Sequence, residues 1–168
     1  MKLSDYFMNF LFEKKIRHIF GYQGGSVTHL IDSLHKVKGL TYIQNYHEQA
    51  SSFCADAYAR VTGGVGVAIA TSGPGATNLI TGIANAFFDS VPCLFITGQV
   101  STHAMKRKEA IRQQGFQETD IVSIVKPITK FAETVLQPEK IRFCLERAFF
   151  YAQSGRPGPV LIDIPHNV

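Results

Sequence analysis

Hydrophobic and polar positions along this 168-residue chain follow two periods, which alternate from one end to the other. Apolar residues at three- and four-residue spacing predict helices over about 4–15, 26–34, 47–61, 76–88 and 138–153. Short apolar runs between them predict strands at 18–20, 40–44, 65–70, 93–97, 128–135 and 159–164. Repeated strand, helix and strand order implies right-handed crossovers between parallel strands.

The run at 65–70 is almost entirely apolar, which is typical of a central strand that is covered on both faces. We therefore expect an α/β fold, a doubly wound and mainly parallel sheet with helices on both faces, in a single domain over 1–168. Ser26 is expected to cap the second helix, and Gly63 to end the third. Residues 102–117 show no clear period and predict a long loop with some helix.

The cysteines, Cys54, Cys93 and Cys144, are odd in number and far apart. This favours reduced thiols that pack as small apolar groups, and a cytoplasmic location. No apolar run approaches the roughly 20 residues of a membrane span, and residues 1–5 do not resemble a signal peptide. We therefore expect a soluble protein that is not exported and has no membrane partner.

A net charge of +4 is modest, and the dense basic positions are confined to Lys106, Arg107, Lys108 and Arg112. No aromatic residues are interleaved with them, so we expect no nucleic-acid partner and interpret the cluster as a solvated loop or helix face.

Glycine-rich and polar turns follow several of the predicted strands, at 21–26, 47–48, 72–75 and 98–99. Ligands of such sheets bind outside the carboxyl ends of the strands, so these turns are predicted to share one rim that holds the site. The alternative is that topology alone places loops there.

Glu48 is the candidate acid of this rim, because it falls in the first turn of the predicted third helix. Unpaired backbone N–H groups and the helix dipole favour an anion there, so the carboxylate can stay ionised among apolar neighbours and polarise a ligand. The alternative is an exposed charge that only stabilises the helix.

Other ligand classes find little support in the glycine and histidine patterns. The run from Gly73 to Gly75 has Asn78 where a dinucleotide fold needs its third glycine, and residues 21–24 lack the early second glycine. The chain has no Gly-Lys-Ser/Thr phosphate loop, and its histidines lack the spacing of metal ligands, so no metal site is predicted.

Several blocks, in order along nearly the whole chain, closely resemble the acetohydroxyacid (acetolactate) synthases. They are FGYQGG at 20–25, HEQ at 47–49, ADAYAR at 55–60, TSGPGATN at 71–78, DSVP at 89–92, GQV at 98–100, GFQE at 115–118 and GRPGPV at 155–160. By this resemblance the chain is identified as the N-terminal, pyrimidine-binding domain of that thiamine-diphosphate family, with the thiamine-diphosphate-binding fold.

The resemblance implies roles around the cofactor. Glu48 matches the glutamate that hydrogen-bonds ring nitrogen N1′ of the aminopyrimidine and favours the tautomer that deprotonates the thiazolium carbon. Gly25 and Ser26 match the loop facing that carbon, with Ser26 where alanine is common, and Gly73 and Pro74 match the cofactor-binding turn. The alternative for the glycines is a role in turns only.

The resemblance also implies that Phe116, Gln117 and Lys130 border cofactor and substrate, and that Arg156 contacts FAD. The alternatives are an exposed side chain for Lys130 and a brace between turns for Arg156. Asn78 and Gln99 are predicted to be structural.

For the longer protein, the resemblance implies decarboxylation of pyruvate and transfer of the two-carbon unit to a 2-oxo acid, in branched-chain amino acid biosynthesis. It also implies a homodimer or homotetramer, with Mg²⁺ bound by a C-terminal diphosphate-binding domain. That domain and the central domain are absent from this chain, so the isolated domain is expected to be inactive.

Three departures from the family pattern bear on the reaction: Gln23 replaces a common proline, Phe131 stands where histidine is frequent, and the segment 99–116 is longer than usual. They suggest an alternative acceptor that is larger or anionic, such as a nucleotide-linked keto sugar. A second alternative is a non-catalytic binding or regulatory domain of the same fold.

Overall fold

The computed structural model describes residues 1–106 and 110–168, and its centre is a six-stranded sheet. The strands are β1 (His18–Gly21), β2 (Thr41–Gln44), β3 (Gly66–Ala70), β4 (Cys93–Gln99), β5 (Phe131–Thr134) and β6 (Val160–Pro165). Their order across the sheet is β2-β1-β3-β4-β6-β5, and every neighbouring pair is parallel. The predicted parallel α/β sheet is therefore confirmed.

Helices cover both faces of this sheet. They are α1 (Leu3–Glu13), α2 (Thr28–Lys36), α3 (Glu48–Thr62), α4 (Pro74–Thr77), α5 (Ile80–Phe88), α6 (Ile121–Val125) and α7 (Ile141–Gln153). One apolar core lies under α1, α2 and α7, and a second lies under α3, α5 and α6. Along β3, Val67 and Ile69 enter the first core whereas Ala68 and Ala70 enter the second, as the two-residue period of a strand requires.

The small residues of β3 bring α3 very close to the sheet. All five residues of β3 are buried, as predicted for a central strand. A Cβ atom added at Gly66 would lie 1.9 Å from the carbonyl oxygen of Ala55, so only glycine allows this approach. Helix α3 ends at Gly63, which has φ +68° and whose N–H bonds the carbonyl of Ala59, also as predicted.

Local predictions were wrong at two places. Ser26 does not cap a helix, because residues Gly25–Val27 form a 3₁₀ turn and α2 begins only at Thr28. The helix predicted over 76–88 is two helices, interrupted at Asn78 and Leu79. Within the loop predicted over 102–117, Thr102–Ala104 forms a short 3₁₀ turn, and Arg107 and Lys108 of the basic cluster lie outside the described residues.

The three cysteines are free thiols, as the sequence predicts. Cys93 and Cys144 are buried, and burial raises the pKa of both, that of Cys144 to about 11. Among the residues that the structure describes, no helix is long and apolar enough to cross a bilayer.

Candidate functional site

The turns that follow β1, β2, β3 and β4 meet at one edge of the sheet. The hydroxyl oxygens of Ser26 and Ser72 lie 2.9 Å apart, and the backbone N–H of Ser26 donates to Oγ1 of Thr71 at 3.3 Å. A Cβ atom added at Gly98 would lie 2.6 Å from the Ser26 side chain. The prediction that these turns share one rim is confirmed, and the Ser26 hydroxyl bonds Ser72 across that rim rather than capping a helix.

Glu48 is the first residue of α3, and its position at this rim is fixed by the start of the helix. His47 precedes it in extended conformation, and the imidazole Nδ1 accepts the N–H of Gln49 at 3.1 Å. Glu48 is only 7% exposed although it lies in the first turn of the helix. The interpretation of Glu48 as an exposed surface charge is therefore wrong.

The two carboxylate oxygens of Glu48 have different surroundings. Oε2 accepts a hydrogen bond from the side-chain amide of Asn78 at 2.9 Å. Oε1 accepts none from the described residues, and a Cβ atom added at Gly75 would lie 3.1 Å from it. Oε2 is therefore fixed by Asn78, whereas Oε1 packs closely against Gly75 and keeps an acceptor position that no described residue uses.

Tyr42 on β2 is a polar neighbour of this acid that the sequence did not single out. Its hydroxyl is buried and has no hydrogen-bond partner among the described residues. Burial, together with the charge of Glu48, raises the pKa of Tyr42 to about 12. The phenol therefore stays neutral and keeps an unused donor near the acid.

The glycine-rich turn after β3 is in contact with the segment that contains Phe116 and Gln117. Gly73 has φ +64°, which disfavours other residues, and Pro74 follows at the exposed start of α4. A Cβ atom added at Gly73 would lie 2.7 Å from both Cβ and the carbonyl oxygen of Gln117. The two segments are therefore in direct contact, although more than forty residues separate them in the sequence.

A pocket of about 420 Å³ opens between these segments. It brings together four of the predicted site residues, Gly25, Ser26, Phe116 and Gln117. Phe116 is 81% exposed at its wall. The remaining lining residues are Thr71, Ser72, Val100, Ser101, Ala104, Gly115 and His166.

His166 and Ser101 form a polar pair of this pocket that the sequence analysis missed. The imidazole Nε2 lies 2.9 Å from the hydroxyl oxygen of Ser101. His166 directly follows β6, so its position after the last predicted strand could have assigned it to the rim. Ser101 likewise follows β4 by only two residues.

Lys130 and Arg156 lie together at the opposite edge, because each precedes its strand, β5 or β6. Both line a pocket of about 250 Å³ with Phe87, Phe88 and Pro157. Lys130 donates to the carbonyl of Ser154, and Arg156 donates to the Ser90 hydroxyl and the Phe88 carbonyl. This chain thus separates both residues from Glu48, and their roles toward substrate and FAD stay predictions.

Within 1–106 and 110–168, no three His, Cys, Asp or Glu side chains lie close enough together to hold a metal ion.

Comparison with known proteins points to one family. The family model described as thiamine pyrophosphate enzyme, N-terminal TPP binding domain, matches residues 1–124. The acetolactate synthase isozyme 3 large subunit of Escherichia coli (strain K12) is 46% identical over 158 residues, which cover 94% of this chain and 26% of that protein.

Two further relatives agree. The acetolactate synthase of Arthrospira platensis is 49% identical over 156 residues, which cover 91% of this chain and 26% of that protein. The acetolactate synthase large subunit of Parasynechococcus marenigrum (strain WH8102) is 50% identical over 153 residues, covering 89% of this chain and 24% of that protein. The chain thus spans about a quarter of the length of these curated relatives, and the resemblance seen in the sequence blocks is confirmed.

Proposed function

This chain belongs to the thiamine pyrophosphate enzymes, as an N-terminal TPP-binding domain, and on that premise we propose that it supplies the pyrimidine-binding half of a carboligase site. The whole protein would be an enzyme of the acetolactate synthase type, which decarboxylates pyruvate and transfers the two-carbon unit to a 2-oxo acid. The observation that carries this proposal is the arrangement of Glu48, a buried acid with one oxygen held by Asn78 and the other without a donor among the described residues.

The residues present fit an aminopyrimidine ring. Such a ring pairs through one nitrogen with a carboxyl group that shares a proton with it, and Oε1 of Glu48 has no other partner among the described residues. Gly75 packs closely against that oxygen, where an added Cβ atom would lie 3.1 Å from it, so the carboxyl group is held in place. When bound, thiamine diphosphate supplies the reactive thiazolium carbon on which 2-oxo acids are decarboxylated.

With the cofactor bound, Glu48 would share one proton with the nitrogen of the pyrimidine ring. Because the carboxylate is buried, this hydrogen bond forms in a low dielectric and is stronger than it would be in water. Asn78 keeps the carboxylate from rotating, since its amide occupies Oε2. The chain's own contribution to the chemistry is therefore a fixed acid that controls one proton.

The 420 Å³ pocket is the proposed place for the substrate. Hydroxyl groups of Ser26, Ser72 and Ser101 line it together with His166, and these groups suit the carboxylate of a 2-oxo acid. Phe116 supplies an apolar wall that limits water at the reacting atoms. Gln117 supplies a side-chain amide for orientation.

The diphosphate, Mg²⁺ and the second half of the site are proposed to come from other parts of a longer, cytoplasmic polypeptide, in a homodimer or homotetramer. A contact between Arg156 and FAD is proposed on the family resemblance, supported by the position of this side chain in a pocket lined by Phe87 and Phe88.

The test is acetolactate formation by the longer polypeptide, assayed with pyruvate, thiamine diphosphate and Mg²⁺. Glu48→Gln is expected to lower kcat by about two to four orders of magnitude, because general acid–base catalysis is lost. Glu139→Gln changes an exposed carboxylate in the 3₁₀ turn that precedes α7 and is the matched control, with kcat unchanged. Equal rates for both variants, or no acetolactate from the unmodified protein, would refute the proposal.

A further inference from the structure

Asp163 on β6 is a buried carboxylate that the proposed chemistry does not use. It is 1% exposed and has no cationic partner among the described residues. It accepts hydrogen bonds from Oγ1 of Thr97 at 2.7 Å, Oγ1 of Thr134 at 3.1 Å and Nε2 of Gln99 at 3.1 Å. Burial raises the pKa of Asp163 to about 6, although these three hydrogen bonds oppose the shift.

Gln99 at the end of β4 links this carboxylate to a loop on the rim. Its side chain is 2% exposed, and Nε2 also donates to the carbonyl oxygen of Thr119 at 2.8 Å. Its Oε1 accepts the backbone N–H of Val100 at 2.9 Å. Because the oxygen and both amide hydrogens are used, the carboxamide has a single orientation that satisfies all three partners.

The loop that Gln99 holds is the one that carries Phe116 and Gln117. Thr119 follows Gln117 by two residues, and Gln117 itself has φ +57°, which a non-glycine residue adopts only when its surroundings impose it. The carboxylate of Glu118 accepts the backbone N–H groups of Lys106 and Gln114. Glu118 therefore connects the loop to residues that precede it in the chain, and Thr119 connects the loop to β4 through Gln99.

We propose that Gln99 and Asp163 are positioning residues, which hold Gln117 against Gly73, and with it the neighbouring Phe116, at the mouth of the 420 Å³ pocket. The importance of that placement for turnover rests on the proposed function; the placement itself does not. A carboxylate buried without a cation costs stability that apolar side chains of similar size would not cost. The buried carboxylate instead fixes the orientation of the Gln99 side-chain amide, and through that amide it fixes the position of Thr119.

Hydrogen exchange of the 168-residue chain tests the placement without any turnover. Gln99→Met removes the bond to Thr119, and we expect exchange of the amides of residues 118–123 to rise about tenfold, as for the loss of one buried hydrogen bond. Thr134→Val is the matched control, because it also removes a 3.1 Å bond to Asp163 but the Thr134 side chain makes no hydrogen bond to residues 118–123. In this control the same amides should change by less than about twofold.

Equal exchange in the two variants, or a rise spread evenly over α7 and β6, would overturn the proposal, because either result means that Gln99 only stabilises the fold. Where Gln99→Met does not fold, Gln99→Asn replaces it. This side chain stays polar but is too short to reach Thr119, and the same local increase is expected.

Kinetics of the longer polypeptide provide the second readout. Gln99→Met should lower kcat/KM for the 2-oxo acid by about tenfold, because a displaced loop orients the substrate poorly. Its affinity for thiamine diphosphate should stay within about twofold, since Glu48 and Gly75 are untouched. A parallel loss of both quantities would contradict positioning. A failed acetolactate assay of the unmodified enzyme would refute the proposed function and leave the exchange result standing.

Discussion

Asn78 donates a hydrogen bond of 2.9 Å from its side-chain amide to Oε2 of Glu48, across the break that separates α4 from α5. This bond connects two segments that lie thirty residues apart in the sequence. It satisfies one oxygen of a buried carboxylate and leaves the other, which packs against Gly75, without a donor among the described residues. The interruption at Asn78 is therefore part of the site, because it gives the side chain of Asn78 its position at Glu48.

Asn78→Ala removes the donor and leaves Glu48 without a partner in the described part of the chain. We expect the free energy of unfolding to fall by about 1–3 kcal/mol, because a buried carboxylate loses its hydrogen bond. The measurement is urea denaturation of the 168-residue chain at neutral pH.

Asn85→Ala is the matched control for this prediction. Asn85 also donates to a buried carboxylate on α3, that of Asp56, at 3.3 Å. Asp56 keeps its ion pair with Arg60, so the loss should stay below about 1 kcal/mol. An equal loss of unfolding free energy in the two variants would show that Glu48 depends on Asn78 no more than Asp56 depends on Asn85.

Gly75→Ala places a methyl group 3.1 Å from Oε1 of Glu48 and 2.7 Å from Cγ2 of Thr71. Because these contacts are too close, the methyl group would displace the Glu48 carboxylate, and the longer polypeptide should lose affinity for thiamine diphosphate about tenfold or more, since overpacking typically costs about 1–3 kcal/mol. Calorimetric titration with the cofactor measures this loss.

Gly64→Ala is the control for Gly75→Ala, because its added Cβ atom would meet only Oγ1 of Thr62, at an ordinary 3.5 Å. Its cofactor affinity should match that of the unmodified protein. Unchanged affinity in Gly75→Ala as well would mean that the ring lies elsewhere.

The stability of the fold should depend on pH through Asp163. Its pKa is raised by burial from 3.8 to about 6, so between these values the folded chain binds more protons than the unfolded chain. The contribution of Asp163 to stability is therefore complete below about pH 4 and decreases as the pH rises through 6, by about 3 kcal/mol in total.

Asp163→Asn cannot titrate and isolates this effect. Unfolding free energies of both proteins, measured between pH 4 and pH 7, should diverge as the pH rises, with the unmodified chain losing stability relative to the variant. Parallel curves would contradict the buried, titrating carboxylate.

The general fold and the rim could be predicted from sequence because both depend on local patterns. The alternating periods determine the order of strands and helices, and parallel connections then place every turn after a strand at the same edge. By the same rule, Arg156 could have been assigned to the opposite edge, since it precedes the strand predicted over 159–164, whereas Lys130 falls inside the strand predicted over 128–135 and precedes β5 only in the structure.

Contacts between distant side chains could not be predicted in this way. Serine is a common residue at the start of a helix, so the sequence predicts a cap at Ser26. Only the position of Ser72 in the folded chain explains why the Ser26 hydroxyl bonds across the rim instead. Asn78 and Gln99 were both interpreted as structural, because no period relates them to Glu48 or to Thr119. Their partners are determined by packing of the sheet turns.

The central claim is that Glu48 controls the proton of a bound aminopyrimidine, and proton exchange at the thiazolium carbon tests it most directly. In the longer polypeptide loaded with thiamine diphosphate, Glu48→Gln should slow this exchange by about two to four orders of magnitude while the fold is retained. Exchange at a rate close to that of the unmodified enzyme would contradict the assignment of Glu48.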